Sequence, residues 1–101
     1  MEAVPPSPMT PLRKGAKKIP FTFTDPRAHA VTVAGSFNAW SKTLNPMKPG
    51  TKGVWSCTIA LKPGRYEYRF VLNGAQWVDD PHAKERCSNN EGGQNCVVRV
   101  G

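Results

Sequence analysis

The stretch RYEYRFVL, residues 65–72, places a bulky apolar side chain at every second position: Tyr66, Tyr68, Phe70 and Leu72. A period of two is that of a β-strand with one buried face; on a helix the same four side chains would be spread around the axis. If that row faces a core, Arg65, Glu67, Arg69 and Val71 point the other way. Turn residues bound the strand on both sides, Lys62-Pro63-Gly64 before it and Asn73-Gly74 after it. Asn-Gly is the dipeptide that a tight hairpin favours, because both residues tolerate left-handed backbone.

The same period recurs along the chain. Ile19, Phe21 and Phe23 alternate with Pro20, Thr22 and Thr24, and Asp25-Pro26 closes that strand. Val31 and Val33 alternate with Ala30, Thr32 and Ala34, and Gly35 ends the run where a side chain would crowd a neighbour. Loop residues follow, with Met47 as the apolar plug beneath them. Trp55, Cys57, Ile59 and Leu61 form the next inward row, and Val98 and Val100, alternating with Val97 and Arg99, close the chain. Helical periodicity is absent over any useful length, and turn signals recur at short intervals. The pattern predicts an all-β, immunoglobulin-like sandwich of about seven short strands.

Residues 1–18 are expected to form a disordered, basic, Pro-rich tail, since Pro5, Pro6, Pro8 and Pro11 exclude a helix and little there is apolar. The sandwich domain is then residues 19–101. A chain of 101 residues supports one modest core, without room for a deep, walled active site beside it. No apolar run approaches the roughly 20 residues of a membrane span, and the N-terminus lacks the apolar stretch of a signal peptide. The expectation is a cytoplasmic protein with no membrane partner. The last strand ends one residue before the end of the chain, so no catalytic barrel is expected after it; the domain is either free-standing or excised from a longer protein.

The formal charge of +7 raises nucleic acid as a ligand. Its distribution argues against that. Arg13, Lys14, Lys17 and Lys18, offset only by Glu2, put +3 in the tail, and the other +4 is scattered among acids and turns. Such a tail attracts polyanions without specificity and is screened by salt. The strands also lack an array of exposed aromatics for stacking bases.

Three cysteines and no export signal favour free thiols. Cys57 lies within a strand pattern as a small hydrophobe, whereas Cys87 and Cys96 flank a polar loop and their pairing is left open. With His82 they make no zinc spacing, and neither a metal nor a cofactor is expected. Catalysis lacks parts as well. The one acidic pair, Asp79-Asp80, is adjacent on the chain, so alternation aims its members at opposite faces. His29 and His82 have no nucleophile motif around them, and Gly92-Gly93 lacks the lysine of a phosphate loop. The chain is read as a non-enzyme.

That leaves the tryptophans. Trp55 has core partners at two-residue spacing. Trp40, ending GSFNAW, and Trp77, ending NGAQW, instead follow turn-forming residues just beyond strand ends. Two exposed aromatics rimmed by polar groups mark an interaction surface, and an indole face suits the C–H face of a pyranose ring.

The order VTVAGSFNAW, Gly53-x-Trp55, LKPGRYEYRFVLNGAQWVDDP and GGQNCVVRV resembles carbohydrate-binding module family 48 from about Phe21 to Val100. That family includes the glycogen-binding domain of the AMP-activated protein kinase β subunit and the early-set N-terminal domains of isoamylases and branching enzymes. The resemblance implies noncatalytic binding of α-1,4-glucan (glycogen, starch or maltooligosaccharide) and, as partner, a glycogen-metabolising enzyme or a kinase. It matches Trp40 and Trp77 to two glucose-stacking tryptophans. Arg69 stands where the family usually has a lysine that bonds sugar hydroxyls, and Asn95 matches a sugar-bonding asparagine. Three features depart from the kinase domain. The loop from Pro81 to Gln94 is about a residue longer, polar Asn90 and Glu91 replace an aliphatic residue, and Ala75 is additional. These bear on ring size and chain-length preference. The competing reading is an early-set structural or protein-interaction module without sugar affinity.

Overall fold

The computed structural model describes residues 15–89 and 92–101. Eight strands follow one another: β1 (Lys17–Thr24), β2 (Val31–Gly35), β3 (Lys48–Pro49), β4 (Val54–Leu61), β5 (Gly64–Leu72), β6 (Gln76–Val78), β7 (Glu85–Ser88) and β8 (Gln94–Val100). Short 3-10 turns at Ser36–Asn38 and Thr51–Gly53 are the helical elements among the described residues. One sheet has the order β1-β4-β3, the other β2-β5-β8-β7, with β6 added beside the end of β5. All pairings are antiparallel, and the two sheets form the expected all-β sandwich.

The alternating rows set the register. Ile19, Phe21 and Phe23 on β1 face Ile59, Cys57 and Trp55 on β4, so both strands turn the same apolar row inward. Burying one such side chain stabilises by about 1.5–3 kcal/mol, more than an outward cross-strand pair contributes, so a slip of one residue is not tolerated. From the other sheet Tyr68, Phe70 and Leu72 meet this row, joined by Val31, Val33, Met47, Cys96 and Val100. Aromatic contacts cross the interior: Phe21 meets Tyr68 edge-on at 5.1 Å between ring centroids, and Phe23 meets Phe70 at 4.9 Å. Trp55 belongs to this core, and its indole N–H donates to the Asp25 carbonyl at 3.1 Å. Pro20 sits on β1, an edge strand of its sheet, where a missing donor costs no ladder bond.

The strands depart from the sequence reading in three places. β1 begins at Lys17, two residues ahead of the apolar alternation; residues 1–14 of the expected tail lie outside the described residues. β7 forms within the stretch Pro81 to Gln94 that reads as loop, because an edge strand of polar residues carries no apolar row to announce it. Val71 points outward as alternation demands and is nevertheless fully buried, because Trp77 on β6 stands opposite it.

The cysteine question is settled by register. Arg86 pairs with Cys96 and Cys87 with Asn95. Cys87 and Cys96 are thus one residue out of step and lie on opposite faces of the sheet. All three cysteines are free. Burial pushes the Cys57 thiol up to about 11, so it stays protonated as a core side chain.

Candidate functional site

Trp40 is delivered by the turn that leaves β2. A Cβ on Gly35 would come within 2.5 Å of the Glu67 carbonyl and 2.6 Å of the Phe37 ring, so only glycine lets β2 run this close to β5. Beyond the Ser36–Asn38 turn, Ala39 and Trp40 both adopt left-handed backbone, φ 58° and 59°. Asn38 braces this strained pair. Its Oδ1 accepts from the backbone N–H groups of Gly35 (3.0 Å) and Ser41 (3.2 Å), and its Nδ2 donates to the Val33 carbonyl (3.0 Å) and Asn45 Oδ1 (2.7 Å). The Trp40 N–H itself donates to the Gly35 carbonyl at 2.9 Å.

Trp77 is delivered by the β5–β6 hairpin. Asn73 and Gly74 have φ 54° and 75°, and the Ala75 N–H closes the turn onto the Leu72 carbonyl at 3.0 Å. The register pairs Leu72 with Gln76, so Ala75 is the third residue of the turn. Asn73 Oδ1 accepts from the backbone N–H groups of His29 (2.7 Å) and Ala30 (3.1 Å), which ties the hairpin to the start of β2.

The two indoles converge on the outer face of the five-stranded sheet. Their centroids lie 6.3 Å apart with the rings inclined at 49°. Both are half-buried, and neither is among the side chains that make up or flank the hydrophobic core. They line an open groove of about 710 Å³ together with Glu67, Arg69, Ser88, Asn89 and Asn95. All four residues picked out from the sequence, Trp40, Trp77, Arg69 and Asn95, therefore share one groove. Asn90 and Glu91 lie outside the described residues.

The polar side chains are interlocked. Arg69 Nη2 is 3.1 Å from Asp79 Oδ1, while its Nε is buried with no hydrogen-bond partner among the described residues. Asn95, 7% exposed, donates from Nδ2 to Glu67 Oε1 at 3.0 Å, and its Oδ1 accepts from Asn89 Nδ2 at 3.3 Å. Glu67 Oε2 in turn accepts from Arg65 Nη1 at 2.9 Å. The Asn95 bond first, and the Arg65 bond second, hold the Glu67 carboxyl below the usual carboxylate range, so it is ionised at neutral pH. Glu67, Ser88 and Asn89 are groove residues to which the sequence assigned no role. Parity with Arg69 already aimed Glu67 at this face; nothing local aimed the other two.

Asp79 and Asp80 diverge. Asp79 turns to Arg69 on the outer face, and Asp80 Oδ2 accepts from the buried Tyr68 hydroxyl at 2.6 Å. Burial, reinforced by that bond, pushes the Tyr68 hydroxyl well above its ordinary range. Glycoside hydrolysis usually requires two carboxyl groups flanking the scissile bond. Among the described residues the groove lining supplies one, Glu67. The groove thus offers stacking faces and hydrogen bonds, without an acid/base couple.

Among characterised proteins, one Arabidopsis thaliana relative is the chloroplastic Protein PTST homolog 2, 44% identical over 54 residues, which cover 54% of this chain and 10% of that protein. A rice relative, the chloroplastic Protein FLOURY ENDOSPERM 6, is 36% identical over 73 residues, 72% of this chain and 13% of that protein. The 1,4-alpha-glucan branching enzyme GlgB of Oleidesulfovibrio alaskensis is 38% identical over 69 residues, 62% of this chain and 11% of the enzyme. The chain thus spans about a tenth of the length of these relatives. The family described as carbohydrate-binding module 48 (isoamylase N-terminal domain) matches residues 8–83, a span that holds both tryptophans, Glu67 and Arg69 and stops short of β7 and β8. On that match, and on the sandwich that carries the groove, the chain belongs to carbohydrate-binding module family 48.

Proposed function

We propose that the outer groove binds α-1,4-glucan without catalysis, Trp40 and Trp77 stacking on glucose rings while Arg69 and Asn95 bond hydroxyls. The observation that carries this reading is the arrangement of the two indoles, 6.3 Å apart and inclined at 49° outside the core. Inclined faces do not match a flat ribbon such as a β-1,4-linked glucan. They suit a chain that turns from one ring to the next, as an α-1,4-glucan does. The guanidinium of Arg69 has five N–H donors and Asp79 occupies only part of them, leaving donors for sugar oxygens. The name of the branching-enzyme relative supports the same ligand class, since that enzyme acts on 1,4-alpha-glucan. In this reading the module holds a partner, such as a glycogen-metabolising enzyme or a kinase, on the polymer.

The test is affinity electrophoresis in a glycogen gel together with calorimetry on maltoheptaose. Oligosaccharide binds weakly and polymer more tightly, because the polymer presents many equivalent sites. Trp40→Ala and Trp77→Ala each lose about 1–3 kcal/mol of affinity, the scale of base stacking on aromatics. Arg69→Ala loses less. The Trp77 change also lowers Tm somewhat, because it uncovers Val71. No heat with maltoheptaose and no retardation by glycogen would refute the reading and leave a protein-interaction module.

A further inference from the structure

We infer that Glu67 is a sugar-contacting acceptor that makes the groove select uncharged glucan over phosphorylated glucan, an inference that rests on the glucan reading above. Of the groove side chains, Arg69 only donates, and the Asn95 carbonyl oxygen, which accepts from Asn89, is a neutral acceptor. Glu67 is the charged acceptor in the lining among the described residues. Oε1 accepts from Asn95 and Oε2 from Arg65, and the Cys87 thiol also bonds the carboxylate. A carboxylate has about four lone-pair sites, so the group retains capacity for one hydroxyl. A hydroxyl that donates to it makes a charge-assisted bond, stronger than a neutral one.

The same carboxylate is unfavourable to an anion. A phosphate on a glucose ring carries about −1.5 to −2 at neutral pH. In this groove it meets Glu67, while the cation that would attract it, Arg69, is held by Asp79 at 3.1 Å. Arg65 is held in turn by Glu67 itself. The charges at the groove cancel in pairs, although the whole chain carries +7. The long-range attraction from that excess fades within about 8 Å at physiological salt, so contact inside the groove decides which ligand stays.

The experiment titrates native protein, Glu67→Gln, and the double variant Arg65→Gln/Glu67→Gln with two ligands. One ligand is maltoheptaose, and the other is maltoheptaose with phosphate on one glucose C6. Native protein prefers the neutral sugar by about tenfold, the factor that a phosphate of charge about −2 feels from a like unit charge about 6 Å away across the water of an open groove. Glutamine still accepts the Asn95 bond, so Glu67→Gln folds and binds maltoheptaose about fivefold more weakly. Its preference for the neutral ligand disappears. The double variant removes the freed Arg65 cation, and its ratio near one assigns the selection to Glu67. If either variant fails to fold, Arg65→Gln alone carries the test: it leaves Glu67 unpaired and sharpens the preference. Native protein that binds both ligands equally, or variants that keep the native ratio, overturn the inference and leave the glucan reading intact. Native protein that binds neither ligand overturns both.

Discussion

Asn38 touches no ligand in this reading, yet its removal should disarm the groove. Ala39 and Trp40 both sit in left-handed backbone, which costs roughly 1–2 kcal/mol per non-glycine residue, or about 2–4 for the pair. Four hydrogen bonds from the Asn38 side chain oppose that strain. At about 0.5–1.5 kcal/mol net each they supply about 2–6, more than the two backbone bonds of the turn, Trp40 N–H to the Gly35 carbonyl and Ser41 N–H to the Asn38 carbonyl, supply without them. Asn38→Ala forfeits the bonds but lets the loop relax and release its strain. The net stability loss is therefore small, about 1–2 kcal/mol, while Trp40 leaves its position beside Trp77. Glucan affinity falls as far as in Trp40→Ala, by about 1–3 kcal/mol. Asn38→Asp keeps the acceptor for the Gly35 and Ser41 N–H groups, loses both Nδ2 donations, and falls between. Thermal melts, maltoheptaose calorimetry and acrylamide quenching of tryptophan fluorescence read the three consequences separately. Affinity within twofold of native, with Trp40 no more exposed to quencher, would refute the brace. So would a Tm loss as large as that of a core truncation.

Trp55→Ala does the reverse. It removes a 7%-exposed core side chain and its bond to the Asp25 carbonyl, costing about 3–5 kcal/mol of stability in a thermal melt, while the molecules that remain folded bind glucan normally. Gly35→Ala meets no torsional penalty, because φ is −165°, and fails on space alone. The new methyl strikes the Glu67 carbonyl and the Phe37 ring, so a loss of about 1–3 kcal/mol is expected in denaturant unfolding, and a variant as stable as native would show that β2 and β5 can part.

The inward rows were legible because one face of each strand bears the burial, and the period of two then fixes both faces. That is why alternation alone turned Arg69 outward, and why parity separates Asp79 from Asp80. Burial on the outer face was not legible in the same way. Val71 is covered by Trp77, and that contact depends on the β5–β6 hairpin bringing Trp77 beside it in the sheet. β7 was invisible because Glu85, Arg86, Cys87 and Ser88 present no apolar row. Its register comes from β8, with Arg99 reaching across to Glu85 at 2.8 and 2.9 Å. Ser88 and Asn89 enter the groove only through that pairing. Asn95 was named by resemblance, whereas its engagement by Glu67 and Asn89 together depends on three strands meeting, which spacing along the chain does not reveal.

The 6.3 Å between the two indoles traces to one short strand. Asn38, two residues before Trp40, bonds to Val33 in the middle of β2 and Gly35 at its far end. Asn73, four residues before Trp77, bonds to His29 and Ala30 just ahead of its near end. Each tryptophan is thus positioned by a turn asparagine, one anchored on β2 and the other on the two residues that lead into it. All five residues of β2 are buried, Val31 and Val33 in the core and Thr32 and Ala34 on the outer side. A one-residue slip would exchange those faces and put Thr32 and Ala34 in the core in place of both valines, so the strand holds its register. The core therefore fixes the separation of the stacking faces before any sugar arrives. Because little is left to order on binding, more of the stacking energy remains as affinity.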